Sequence, residues 1–167
     1  MILLMLISIR FIKKSVNELR ISNGFFQNKR KDCRNINHGN SNQISQCQTL
    51  WAKNKYLVLS HSSNIYLEIR QYLKSDLVEA VHVQDLIDQA VALPENRGQV
   101  CNAFQHVWGY FKKKAIPAEK ENFMLLLERY QADQVEQEAL VEAVKDLLRK
   151  YPNPYLQQST LIFGDEA

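Results

Sequence analysis

From Leu50 onward, apolar residues recur every three or four positions, the period of a helix packed on one side, and no alternating run is long enough for a strand. Leu50-Trp51 and Tyr56-Leu-Val-Leu59 predict a short helix ending near Ser60-His61-Ser62-Ser63. Those serines suit the cap of a second helix carrying Ile65, Tyr66, Ile69, Tyr72 and Leu73. Asp76-Leu-Val-Glu79 has the capping-box pattern, in which a carboxylate accepts early N–H groups and a Glu reaches back. It predicts a helix with Leu77, Val81 (or Ala80), Leu86-Ile87 and Ala90-Val91 facing inward, and Pro94-Glu-Asn-Arg-Gly98 reads as the loop that follows.

The next run, Gln99 to about Lys114, places Phe104, Val107, Trp108 and Phe111 on one side. Pro117 suits the first turn of a further helix, where its missing N–H costs little. There Phe123, Leu126, Leu127 and Tyr130 form an amphipathic stripe. Asp133-Gln-Val-Glu136 repeats the capping-box pattern before Leu140, Val144, Leu147-Leu148 and Tyr151, and Pro152 and Pro154 end that helix. The tail from Tyr155 to Phe163 is apolar enough to pack back. The expected fold is all-α: one bundle of five to six helices with an extended C-terminal tail.

Residues 1–49 read differently. Met1 to Ile9 is apolar, with Arg10, Lys13 and Lys14 behind it. That run is well short of the roughly 20 residues of a spanning helix. A signal peptide carries its positive charge before the apolar run and a cleavage site after it, the reverse of what stands here. A start-site artefact, a disordered leader and a short membrane-surface anchor remain as readings. Residues 22–49, rich in Asn, Ser, Gln and basic residues, hold too little apolar surface to offset the entropy of ordering. The expected division is a disordered or mis-started basic leader over 1–49 and a helical domain over 50–167.

Charge sharpens that division. The net charge of +3 splits into eight Lys or Arg against two acids in residues 1–50, and thirteen against sixteen in residues 51–167. The helical part is mildly acidic, so overall charge gives nucleic-acid binding no support there. Cys33, Cys47 and Cys101 are too few and scattered for a disulfide framework or a zinc spacing, and fit reduced thiols in a cytoplasmic protein.

Four blocks carry a family resemblance: Leu50-Trp-Ala-Lys-Asn-Lys-Tyr-Leu-Val-Leu-Ser-His61, Asn102-Ala-Phe-Gln-His-Val-Trp-Gly-Tyr-Phe-Lys-Lys113, Glu119-Lys120, and Tyr151-Pro-Asn-Pro-Tyr-Leu-Gln-Gln158. In this order they resemble the YbgA-type domain of unknown function, over residues 50 to 163. The resemblance implies a domain found alone or fused to a cysteine-bearing desulfidase domain associated with thiolated uracil bases, 4-thiouridine in tRNA included. In such fusions it is regarded as an RNA-binding module. The partners it implies are tRNA or other RNA and a separate desulfidase-type protein. Desulfidase activity does not carry over, because the cysteines here suit no cluster. Where the family has a Gly and a Pro-containing turn after its Glu-x-x-Tyr helix, this chain has Ala132-Asp-Gln-Val-Glu-Gln137.

Helical spacing puts Asn102, His106, Tyr110 and Lys113 on one polar stripe, where a His beside Tyr and Lys could meet a phosphate or stack on a base. A His106 bonded to a neighbouring helix explains the same pattern. Lys112, Lys114, Lys120 and Arg97 are candidate supporting cations, with Arg70 a further one. A triple Lys also suits a helix C-terminus for structural reasons. His61 and Lys55 are secondary candidates. Two histidines with Glu68 or Asp76 fall short of a defined zinc set, so no metal and no cofactor are expected. No Gly-x-Ser-x-Gly or defensible triad is present. The expected function is RNA binding, tRNA foremost, linked to modified-base metabolism. The alternatives are a small enzyme or accessory subunit using His106 as acid or base, and a protein-interaction domain.

Overall fold

A computed structural model describes residues 38–164, so the expectations for residues 1–37 lie outside the described residues. Among the described residues seven α-helices follow one another: α1 His38–His61, α2 Ser63–Tyr72, α3 Ala80–Val91, α4 Arg97–Trp108, α5 Pro117–Gln131, α6 Gln137–Lys150 and the single-turn α7 Thr160–Phe163. A 3-10 turn, Leu156–Gln158, precedes α7. No strand occurs among the described residues, and none of their helices is long and apolar enough to cross a membrane. The fold is all-α.

Helix α1 organises the rest. Its 24 residues span about 36 Å at 1.5 Å each. Ile44, Cys47, Trp51, Asn54 and Val58 recur at alternating steps of three and four along it. Cys47, Trp51 and Val58 are buried against Ile69 of α2 and Val83, Leu86, Ile87 and Ala90 of α3. Tyr56 and Leu59 instead join a larger cluster with Phe104, Trp108, Phe123, Leu127, Tyr130, Leu140 and Val144 from α4, α5 and α6. The tail closes this cluster through buried Leu156, Leu161 and Ile162. The Thr160 hydroxyl donates to the Asn54 side chain at 2.9 Å, and the Asn54 amide donates to the Leu50 carbonyl, which fastens tail to α1.

Several sequence expectations are corrected. Residues 38–49 are helical, and Cys47 is fully buried, so helical packing reaches back beyond Leu50. Neither predicted capping box forms. Helix α3 starts at Ala80, the Glu79 N–H donates to the Tyr72 hydroxyl, and Leu77 and Val81 are 77% and 72% exposed instead of inward. Helix α4 starts at Arg97 under an Asn96 cap, inside the predicted loop.

Asp133 takes left-handed backbone at φ 59°, and the N–H groups of Asp133 and Gln134 donate to the carbonyls of Tyr130 and Arg129. That is the helix-ending arrangement usually built on glycine. Asp is one of the few residues with a side chain that tolerates this conformation. Other expectations hold: Ser62 caps α2, Pro117 opens α5, and Trp108 is 6% exposed with its ring stacked on Phe123 at 5.1 Å.

Candidate functional site

The polar stripe does not survive as one helix face. Helix α4 ends at Trp108, and Gly109, with its low helix propensity, is the cap residue. Beyond it the chain runs in turns: the Tyr110 N–H donates to the Val107 carbonyl, and the Phe111 and Lys112 N–H groups both donate to Trp108. Asn102 and His106 stay one turn apart on α4, each half-buried. Lys112, Lys113, Lys114 and Lys120 are exposed. Tyr110, in the first of these turns, is half-buried.

What Tyr110 meets is a cluster of tyrosines. Its hydroxyl accepts from the Tyr56 hydroxyl at 2.9 Å, and its ring stacks on Tyr155 with centroids 5.8 Å apart and planes 19° apart. Tyr155 is set in place by a turn in which the Asn153 side chain accepts from the N–H groups of Tyr155 and Leu156. Lys55, one residue before Tyr56, holds its Nζ 4.7 Å from the Tyr56 ring centroid and 5.0 Å from that of Tyr155. Arg70 of α2 covers the ring of Tyr66 at 5.6 Å.

Among the described residues no carboxylate pairs with Lys55 or Arg70. Burial, aided by the charge of Arg70, lowers the Lys55 pKa from 10.5 to about 8. The ring faces return part of that lost solvation through cation–π attraction. Burial raises the phenols of Tyr56, Tyr110 and Tyr155 above their ordinary value, so all three stay protonated near neutral pH. Protonated phenols, an ammonium and a guanidinium make a site rich in donors and poor in negative charge, suited to an oxyanion beside a flat ring.

The remaining candidates fall elsewhere. Arg97 is occupied at the opposite end of α4 from Lys112–Lys114. It donates to the carbonyls of Tyr130 and Val135, pairs with Asp133 at 2.5 Å and covers the Tyr130 ring. Its role is to hold the turn between α5 and α6, which corrects its expected convergence with the lysines. Glu119 accepts from the Ile116 N–H, the Lys150 ammonium at 2.6 Å and the Tyr151 hydroxyl. The Lys150 contact first, then the Ile116 N–H, lowers the Glu119 pKa. It joins the start of α5 to the end of α6. His61 closes α1, and its Nδ1 is buried without a hydrogen-bond partner among the described residues. No group of three or more His, Cys, Asp or Glu side chains that could hold a metal occurs among the described residues.

The sequence marks Lys55 only as a secondary candidate, Arg70 as a further cation, and Tyr56 and Tyr155 only as helix and tail residues. The one available signal was that three of the four resemblance blocks supply Lys55-Tyr56, Tyr110 and Tyr155, which here meet in one place. A protein-family model described as "Protein of unknown function (DUF1722)" matches residues 55–163, well over half of the 167-residue chain. No curated protein and no solved structure matches it. The matched stretch contains Lys55, Arg70 and all four tyrosines of the cluster.

Proposed function

The chain belongs to the DUF1722 family, the same family as the YbgA-type domain, and from that premise we propose that it is an RNA-binding module with tRNA as its foremost ligand. The observation that carries this reading is that Lys55 and Arg70 each lie over tyrosine rings and, among the described residues, pair with no carboxylate. Phosphates position a strand on cations, and bases stack on aromatic side chains irrespective of sequence. Lys112 follows Tyr110 by two residues, so the exposed lysines of that turn extend the positive charge outward from the cluster. Attraction here is local, since residues 51–167 are acidic overall. Such a role belongs in the cytoplasm, and a separate desulfidase-type protein is the partner to seek.

The test is fluorescence anisotropy of the full chain with total tRNA and with a single-stranded oligoribonucleotide. Lys55→Gln should weaken binding by about tenfold, as a charged contact worth roughly 1.4 kcal/mol would. Lys113→Ala should lower the slope of log affinity against log salt by about one. Binding that is unchanged in Lys55→Gln would place it away from this cluster and end this reading.

A further inference from the structure

We propose that the outer face of α3, with Leu77 just before it, is a docking surface for a cationic amphipathic helix of a partner protein. Its apolar part is Leu77 and Val81, which are 77% and 72% exposed. The segment that carries Leu77 is anchored on its inner side. Val78 is buried, the Glu79 N–H donates to the Tyr72 hydroxyl at 2.9 Å, and the Tyr72 ring meets the His82 ring edge-on with centroids 4.5 Å apart. Leu77 is thus held out to solvent by a fixed turn. Val81, Asp85 and Asp88 stand at i, i+4 and i+7 on α3, opposite the buried Val83, Leu86, Ile87 and Ala90.

Charge selects the occupant. From Ser75 to Asn96 the chain carries Asp76, Glu79, Asp85, Asp88 and Glu95 and neither Lys nor Arg. All five acids are exposed, and among the described residues no ion pair reaches Asp76, Glu79, Asp85 or Asp88. Acids near the start of a helix suit its dipole, but Asp88 lies in the last turn, where the carbonyl end opposes it. That turn holds no basic residue, and the Asp88 carboxylate accepts only from the Gln84 side chain, at 2.7 Å. A cation brought by a partner would answer this charge. Nucleic acid and an anionic membrane surface are repelled by it. A two-fold contact between copies would set this acidic face against itself. A helix with leucines flanked by Lys or Arg matches both the apolar and the acidic part.

The experiment titrates the full chain into fluorescein-labelled peptides of about four helical turns and reads anisotropy. One peptide carries Leu and Lys at helical spacing, a second has Ser for every Leu, and a third has Glu for every Lys. The Leu–Lys peptide should bind, the Ser form at least about tenfold more weakly, and the Glu form not at all. Asp85→Asn with Asp88→Asn, and separately Leu77→Ser with Val81→Ser, should each weaken the Leu–Lys peptide by about tenfold or more. These side chains are exposed, so the unfolding midpoints should stay at the wild-type value. Glu121→Gln with Glu128→Gln removes two exposed acids of α5 and should leave affinity within about twofold, which separates this face from net charge. An equal loss in that control, no loss in either α3 variant, or no binding of the Leu–Lys peptide would overturn the proposal. Self-association of the full chain that Asp85→Asn with Asp88→Asn abolishes would make the occupant a second copy and overturn the partner assignment.

Discussion

Tyr56 and Tyr110, 54 residues apart in sequence, share a hydroxyl–hydroxyl hydrogen bond of 2.9 Å between helix α1 and the turn after α4. The bond ties that turn to α1, and Lys112, Lys113 and Lys114 that follow it are exposed. Tyr110→Phe removes one hydroxyl and leaves the buried Tyr56 phenol without a partner. A loss of about 1–2 kcal/mol of unfolding free energy is expected, the range for stranding a buried donor. Urea denaturation measures it, and an unchanged midpoint would mean that the bond does not form.

The division between domain and leader is moved by Cys47. Deleting residues 1–48 removes Ile44 and the fully buried Cys47 from the cluster shared with α2 and α3. The truncated protein should lose about 2–3 kcal/mol, as core deletions do. A melting temperature equal to that of the full chain would put the domain boundary back at Leu50. Burial raises the Cys47 thiol pKa, so this thiol should react slowly with a disulfide reagent until the protein unfolds.

How far the sequence could be read follows from the density of its pattern. Phe123, Leu127 and Tyr130, and Leu140, Val144, Leu147 and Leu148, stand at full helical spacing, and all are buried. The first turns of α1 hold barely one apolar residue per turn among Asn, Ser and Gln, so composition argued for a linker there and packing prevailed. Leu77 and Val81 fit a helical period too, but Leu77 falls in the loop before Ala80 and Val81 on the exposed face of α3. The tyrosine cluster joins residues up to 100 positions apart, Lys55 and Tyr155 among them. No spacing rule reaches that far, and the resemblance blocks mark its members without saying that they touch.

Arg97 gives a contrasting expectation. With two backbone carbonyls and Asp133 on its guanidinium, Arg97→Ala should cost about 1–3 kcal/mol, because buried acceptors lose their donor. The Asp133 pair adds little, since that carboxylate is 77% exposed. RNA affinity at a temperature where the variant is folded should stay within about twofold of wild type. A larger loss would make Arg97 part of the binding surface.

Lys55 should leave a signature in the pH dependence of stability. Its pKa is about 8 in the folded protein and 10.5 ordinarily, so between those values the unfolded chain holds the extra proton. Stability contributed through this group therefore rises with pH across that window, and below pH 8 its full penalty is present. Lys55→Met removes the penalty. The variant should be more stable than wild type by about 1 kcal/mol at pH 7, with the gap shrinking toward pH 10.5. Phenols and thiols with raised pKa values impose the opposite slope on both proteins, so they cancel in the difference. A gap that grows with pH would reverse the assignment.

The most direct test of the central claim, that the Lys55–Arg70 tyrosine cluster holds a ligand, measures stability and tRNA affinity together in Lys55→Met at pH 7. A lysine kept for packing would lower stability when replaced and leave affinity alone. A lysine kept to hold phosphate does the reverse: the predicted result is a higher unfolding midpoint with affinity reduced by about tenfold or more. A Lys55→Met protein that is less stable and binds tRNA as wild type does would contradict the account.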